Sequence, residues 1–289
     1  VIGEILGIDP DSIRVVRPNS LESLPGNSPV GSRMAIMLGG AAARAAEKLK
    51  AKIIAIAAHH LQCDATSIDY QGGAMLSANG RHITWDDIIE SAHRQIHRLP
   101  DGMDPGLASF DIMQVPTGGD LPKDGKVHMY PCYSFEFHLV LVAFDPIIGK
   151  PEIRSYTIGH DCGTVINPAI VSGMTYGGIA HGIGAALLEE FAYDESGQLM
   201  TQSFLDYLMP SSHEVPDIQL VKHCTPSPHT VFGQKGSGES GYLGAPAAIS
   251  SAINHAVAGL DIFFDKLPIR MSVISDKIAA ATHHRLDSE

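Results

Sequence analysis

The amino-acid sequence predicts an α+β protein of two α/β lobes, built from β-hairpins and glycine-rich helices. Three observations carry that expectation. Apolar Ala- or Gly-rich stretches at 34–61, 173–190 and 247–258 have helical character. Short alternating or β-branched runs come in adjacent pairs that read as hairpins. A 44% hydrophobic content over 289 residues supports a sizeable core, as one large domain or two small lobes. We place the lobes at residues 1–110 and 111–289.

Residues 1–6 read as the end of a helix stopped at Gly7, and residues 12–16 as a short strand. A chain that opens inside a helix reads as a piece of a larger domain. NSLESLPGNSPVGSR is a Gly/Pro/Ser/Asn loop feeding the helix at 34–61, and it is the first candidate binding loop. Asn79-Gly80, between AMLSA and RHIT, is a two-residue hairpin signal; Thr84 with Asp87 resembles a capping box opening a helix to about His97. Gly, Pro and Asp density marks residues 100–131 as a long loop, at that length functional or interface-forming. Residues 134–144 alternate, putting Phe135, Phe137, Leu139, Leu141 and Ala143 on one face, and a turn leads to a second strand near 152–158. The glycine-laden helix follows, a DESG turn at 194–197 joins two strand-like runs, and Pro246 precedes the last long helix.

Charge excludes several function classes. Twenty Lys plus Arg against 32 Asp plus Glu give a net charge of −12, which repels nucleic acid and anionic membrane. No apolar run approaches the roughly 20 residues of a membrane span, and VIGEILGIDP lacks the regions of a signal peptide. We therefore expect a soluble cytoplasmic protein without membrane insertion. Cys63, Cys132, Cys162 and Cys224 form no CxxC pair, which argues against a zinc ribbon or an iron–sulfur cluster held by this chain alone. The histidines read as solvated or core side chains, since the neighbours in His59-His60 and His283-His284 point about 100° apart on a helix.

Two glycine-rich segments carry the chemistry. GQKGSGESGYLGAP surrounds one acid, Glu239, with glycines, and it contains a literal GxGxxG. A dinucleotide site needs a strand before that motif and a helix after it, but Pro226 and Pro228 precede it and YLGAP follows. The remaining readings are a plain surface turn or a backbone pressed against a bulky ligand while presenting one carboxylate. GMTYGGIAHGIGAALLEE puts Gly173, Gly177, Gly178, Gly182 and Gly184 inside a helical pattern, at roughly 1 kcal/mol each relative to Ala. Another helix or a cofactor must approach it closely.

Taken with DCGTVINPAIVSGMTYGGIAHGIGAALLEEFAYDESGQLMTQSFLDYLMP and TPSPHTVFGQKGSGESGYLGAPAAISSAINHAV, the chain resembles the C-terminal region of the molybdenum-binding subunit in the xanthine dehydrogenase, aldehyde oxidoreductase and carbon monoxide dehydrogenase family. The likeness extends through residues 134–158 and through ILGIDPDSIRVV and SPVGSRMAIMLGGAA; 100–131 and the tail after Ile274 match least.

The resemblance implies the C-terminal portion of a molybdenum hydroxylase cofactor-binding domain, with both lobes binding molybdopterin and the second carrying the catalytic acid. Glu239 of the KGxGE motif is implied as general base beside molybdenum. Val30, Gly31, Ser32 and Arg33 are implied at the pterin through backbone donors and the Ser32 hydroxyl. Lys235, Gly236 and Gly238 belong to the catalytic motif, and Gly178, His181 and Gly182 come from the helix that the family brings to the metal. His181 departs from the Gln of the best-known members, though imidazole also donates a hydrogen bond. No protein side chain is implied as a direct metal ligand.

The chemistry implied is a molybdopterin-dependent oxidoreductase that hydroxylates an electron-poor carbon of an N-heteroaromatic or aldehyde substrate with water-derived oxygen. Such a reaction needs a base, and a dry glycine-lined pocket would suit a carboxylate to it. The cofactor form implied is the cytosine dinucleotide, with [2Fe-2S] and FAD on partner subunits. With no GQG-type loop present, we also expect an N-terminal half of the molybdenum subunit as a separate partner. The alternatives are a non-catalytic structural or assembly paralogue, against which the retained Glu239 argues, and a histidine-based zinc hydrolase, for which no HExxH spacing exists.

Overall fold

The computed structural model describes residues 1–17, 19–23, 30–72, 74–77, 80–114, 124–126, 130–145 and 147–286. Two compact units emerge. The first comprises Val1–Val30, Met34–Pro131 and His229–Val231; the second comprises Gly31–Arg33, Cys132–Pro228 and Phe232–Glu289. The main division thus falls near residue 131, beyond the 110/111 boundary expected from sequence. Local packing explains the shift: Arg44 and Lys48 reach Asp111 at 3.2 and 2.7 Å, and Met113 lies against Gly40, so this stretch stays with the first unit.

In the first unit α1 (Ile2–Leu6) ends at Gly7 in the left-handed conformation, as expected. Residues 12–16 form no strand: Pro10–Ser12 is a turn of 3-10 helix, opened by the Asp9 side chain accepting from the Asp11 N–H. The Ala-rich α2 spans Met34–Leu61, and its small Ala43 and Ala46 let Ile5 and Leu6 pack close. Strands β1 (Ile68–Tyr70), β2 (Ala74–Ser77) and β3 (His82–Thr84) form an antiparallel sheet in chain order. The hairpin expected at Asn79-Gly80 is met by the antiparallel pairing of β2 and β3; Asn79 itself lies outside the described residues. Thr84 and Asp87 form the capping box of α3 (Trp85–His93), which stops short of His97 and gives way to a 3-10 turn, Ile96–Arg98. A core of Ile53, Ile56, Leu61, Ile83, Ile88 and Ala92 joins α2, α3 and the sheet. No helix or strand occurs among the described residues of 100–131.

The second unit is built on β4 (Phe135–Asp145), β5 (Lys150–Asp161) and β6 (Ile218–His223). β4 and β5 form the expected hairpin, and β6 joins β5 in parallel. Asn167 caps α4 (Pro168–Leu187) by accepting the Ile170 N–H, with Pro168 in the first turn. α5 spans Ala245–Ala256, and a further helix that the sequence reading missed, α6, spans Met271–Leu286. The runs flanking the DESG turn meet in one isolated bridge, Tyr193 with Leu199, because Asp194 Oδ1 accepts the Ser196 and Gln198 N–H groups and curls the chain locally.

The core of this unit contains Tyr156 and Ile158 of the sheet, Ile179 and Ile183 of α4, Ile249 and Ile253 of α5, and Ile274 of α6. The apolar alternation of β4 points the other way. Phe135, Phe137, Leu139 and Leu141 are 60–67% exposed, while their neighbours Glu136 and His138 turn inward. No helix among the described residues is long and apolar enough to cross a membrane.

Candidate functional site

The site lies in the second unit, on the turns between β6 and α5. Gly241, with φ of +84°, lets the chain reverse directly beneath α4: a side chain there would strike the Thr175 carbonyl and the Ile179 amide. Gly178 answers from the helix, where an added Cβ would meet the Ser240 carbonyl and, at 2.9 Å, the Tyr242 amide. Helix and turn therefore interlock, backbone to backbone, one residue past Glu239.

Glu239 is exposed, so the described residues do not form the dry pocket expected for it. Its direction is nevertheless set. The Ser32 hydroxyl donates to Glu239 Oε2 at 2.6 Å and accepts the Glu239 N–H at 3.0 Å. Gly31 and Ser32 both take the left-handed conformation, φ +64° and +57°. Gly236 and Gly238 leave room for this contact: a Cβ on Gly236 would lie 2.6 Å from the Ser32 carbonyl oxygen, and one on Gly238 3.3 Å from its hydroxyl.

The structure thus brings Ser32, Gly236, Gly238 and Glu239 together. It places Gly178 against Ser240, and it buries Gly182 against Ala245 and Pro246 at the start of α5. His181 is exposed and stacks on Tyr242, ring centroids 4.3 Å apart. Gly31 and Arg33 are half-buried, and Val30 is exposed.

Lys235 stands apart from this group. It is buried, and its ammonium lies 3.1 Å from Asp161 Oδ2 and 2.7 Å from Thr225 Oγ1. Its backbone N–H donates to the Cys162 carbonyl at 2.7 Å. In this chain it therefore ties the glycine-rich segment to the end of β5. Burial opposes ionisation of Asp161, but hydrogen bonds from Thr225, Gly163 and Lys235 outweigh it and hold the carboxyl well below the usual carboxylate range.

Sequence reasoning missed what lies under the turn. Glu136 Oε1 accepts the Gly241 N–H at 2.8 Å; Glu136 Oε2 is 3.2 Å from His138 Nε2; His138 Nδ1 is 2.7 Å from the Tyr156 hydroxyl. Ser240 Oγ meets His160 Nε2 at 2.8 Å and Ser237 Oγ at 3.1 Å. Burial works against the Glu136 charge, yet His138 and the Gly241 N–H keep its carboxyl below the ordinary range. Burial also lowers the His160 imidazole and, with the Glu136 charge, raises the Tyr156 phenol. The available signal was Glu136-x-His138, two polar residues at alternating positions of an otherwise apolar strand.

The donor set fits an anionic organic cofactor. Gly31 and Ser32 turn the backbone through successive left-handed positions, and Arg33 adds a cation. Among the described residues no group of three or more His, Cys, Asp or Glu could hold a metal ion.

Comparison with known proteins agrees. Residues 1–216 match the family model described as the molybdopterin cofactor-binding domain. The chain is 32% identical over 289 residues to the nicotine 6-hydroxylase large subunit of Paenarthrobacter nicotinovorans, covering 99% of this chain and 33% of that protein. It is 33% identical over 272 residues to the 6-hydroxypseudooxynicotine dehydrogenase complex subunit gamma of the same organism, covering 93% and 32%. The crystal structure of the Cu,Mo-CO dehydrogenase in its carbon monoxide reduced state superposes with a TM-score of 0.84 at 28% identity, over 98% of this chain and 34% of that one. The chain spans about a third of the length of the curated relatives it matches. With its fold, its glycine-bordered carboxylate and this match over most of its length, the chain belongs to the molybdopterin cofactor-binding domain family.

Proposed function

We propose that this chain forms the C-terminal part of the molybdenum-binding subunit of a hydroxylase, with Glu239 as its general base. The observation that carries the reading is the exposed carboxylate of Glu239, held by the Ser32 hydroxyl on a turn that α4 clamps from behind. The substrate class is an N-heteroaromatic ring or an aldehyde; the relatives named for nicotine chemistry favour the ring. When bound, the molybdenum cofactor supplies oxygen activation and accepts the electrons. Glu239 takes the proton, a role that asks for an accessible carboxylate of fixed direction. Ser32 fixes that direction, and the Gly31–Arg33 donors hold the cofactor's anionic groups.

The cofactor form is the cytosine dinucleotide, and release of CMP on acid hydrolysis checks it. Electrons leave through [2Fe-2S] and FAD on partner subunits, in the cytoplasm. The remaining two-thirds of the relatives' length, on this polypeptide or on a second one, completes the cradle. The apolar outer face of β4 supports such a neighbour, because exposed apolar surface of this kind is normally covered in the working assembly.

The test is Glu239→Gln in the molybdenum-loaded complex, assayed by dye reduction with nicotinate, xanthine, an aldehyde and carbon monoxide. Turnover should fall at least 10²- to 10⁴-fold, roughly the worth of a general base, with molybdenum content unchanged. A fully loaded variant turning over within a few-fold of the parent would remove Glu239 from the role.

A further inference from the structure

The turn that carries Glu239 stands on four side chains that the reaction above does not use. Glu136 and His138 of β4 and Tyr156 and His160 of β5 share the inner face of the sheet, and the strand register sets Glu136 opposite His160. With a neutral His138, three of them form a line with one consistent proton arrangement. Tyr156 O–H donates to His138 Nδ1, His138 Nε2–H donates to Glu136 Oε2, and Glu136 Oε1 accepts the Gly241 N–H. His160 holds the adjacent Ser240 hydroxyl at 2.8 Å. The Glu136 side chain is only 15% exposed, and leaving such a carboxylate without donors would be costly. Here two donors of fixed direction satisfy it, and one of them is the backbone of the catalytic turn.

We propose that Glu136 is a positioning residue for Glu239, with His138 and Tyr156 aiming its carboxylate so that the Gly241 amide, and with it the turn, is held in one orientation. The proposal rests on the reading of Glu239 as base. Its physical content is that the turn is clamped from two sides. Gly178 and Thr175 of α4 limit it from one, while Glu136 and His160 tether it from the other at the two residues that follow Glu239. Packing alone would limit how far the turn moves; a charge-assisted acceptor also fixes its rotation. A misplacement of about 1 Å at the reacting group can cost on the order of 100-fold in rate, so such a tether has a kinetic consequence.

The experiment compares Glu136→Gln, Glu136→Ala and Glu239→Gln in the purified molybdenum-loaded complex. Ala removes the acceptor of the Gly241 N–H. Gln keeps an acceptor oxygen without the charge, its NH2 group being met by the other tautomer of His138, which accepts at Nε2 and donates from Nδ1 to the Tyr156 hydroxyl. We expect kcat for Glu136→Ala to fall about 10- to 100-fold while KM stays within about two-fold. Cofactor content should stay near the parent's, and amide hydrogen exchange across 237–243 should accelerate. Glu136→Gln should show the same two changes to a smaller extent. An Ala variant with parental kcat and parental exchange overturns the proposal, as does a kcat that falls only in proportion to lost cofactor. If Glu239→Gln turns over normally, it is the base assignment that fails. Exchange across 237–243 then decides on Glu136 alone: parental protection in the Ala variant ends its positioning role.

Discussion

Ser32 and Glu239 bind each other at two points, hydroxyl to carboxylate at 2.6 Å and backbone N–H to hydroxyl at 3.0 Å. A single oxygen therefore fixes both the main chain and the side chain of the proposed base. Removing it with Ser32→Ala should leave the fold intact and lower kcat about ten-fold or more, the scale of one hydrogen bond to a charged group at about 1.5–3 kcal/mol. Ser32→Gly is the informative companion, since it accepts the +57° φ more readily but also lacks the hydroxyl. If the Gly variant retains parental kcat, the hydroxyl has no part in aiming Glu239.

Neighbouring glycines of α4 should respond in opposite directions. A Cβ on Gly178 runs into the Ser240 carbonyl, whereas a Cβ on Gly177 meets nothing within 4 Å. Gly178→Ala should destabilise by about 1–3 kcal/mol through overpacking and disturb the turn that carries Glu239. Gly177→Ala should be neutral or stabilising by up to about 1 kcal/mol through helix propensity. Thermal unfolding of the two variants checks this, and equal shifts would contradict the interlock.

The Lys235–Asp161 pair predicts an acid-sensitive contribution to stability. Asp161 is held ionised well below the usual carboxylate range in the fold, against about 3.9 in an unfolded chain. A depressed folded value gives stability that is present above the unfolded value and lost as pH falls through and below it. Lys235→Met leaves the Asp161 charge buried without its cation and should cost about 3–5 kcal/mol near neutrality. That deficit should shrink below about pH 4 as the parent loses the same contribution. Urea unfolding in both ranges measures it; a deficit independent of pH would mean that Lys235 acts through packing alone.

The outer face of β4 predicts how the chain behaves by itself. Phe137 and Leu139 are 67% and 60% exposed on a continuous apolar stripe. Residues 1–289 expressed alone should bind an apolar dye and self-associate, and Phe137→Lys with Leu139→Lys should reduce both while impairing assembly with partner chains. A dispersed parent chain that binds no dye would argue that the stripe needs no cover.

Legibility in the sequence followed the range of the forces involved. Gly7, the Ala-rich run of α2 and the Thr84–Asp87 box are local signals, and the structure reproduces them. β6 and α6 were not legible, because β6 is defined by parallel pairing to a distant β5, and α6 has little segregation of apolar from polar residues. The acid at Glu239 stood out among its glycines, but the partners of those glycines did not. The space beside Gly178 is filled by Ser240 and Tyr242, a long-range contact with no local signal. The Glu136–His138–Tyr156 line was marked only by the polar pair Glu136 and His138, since it depends on which face of β4 turns inward, and the apolar alternation there favours the opposite choice.

The contact between Ser32 and Glu239 spans 207 positions of the chain. Closing so long a loop is entropically unfavourable and is completed only after the segments between have condensed. Helices and hairpins can thus form in a chain whose proposed base still points at random. Content of regular structure is then a poor measure of competence for this protein; the state of one hydroxyl–carboxylate contact is a better one. Mutations or synthesis conditions that slow the last closure would yield molecules that look folded by circular dichroism and are inactive.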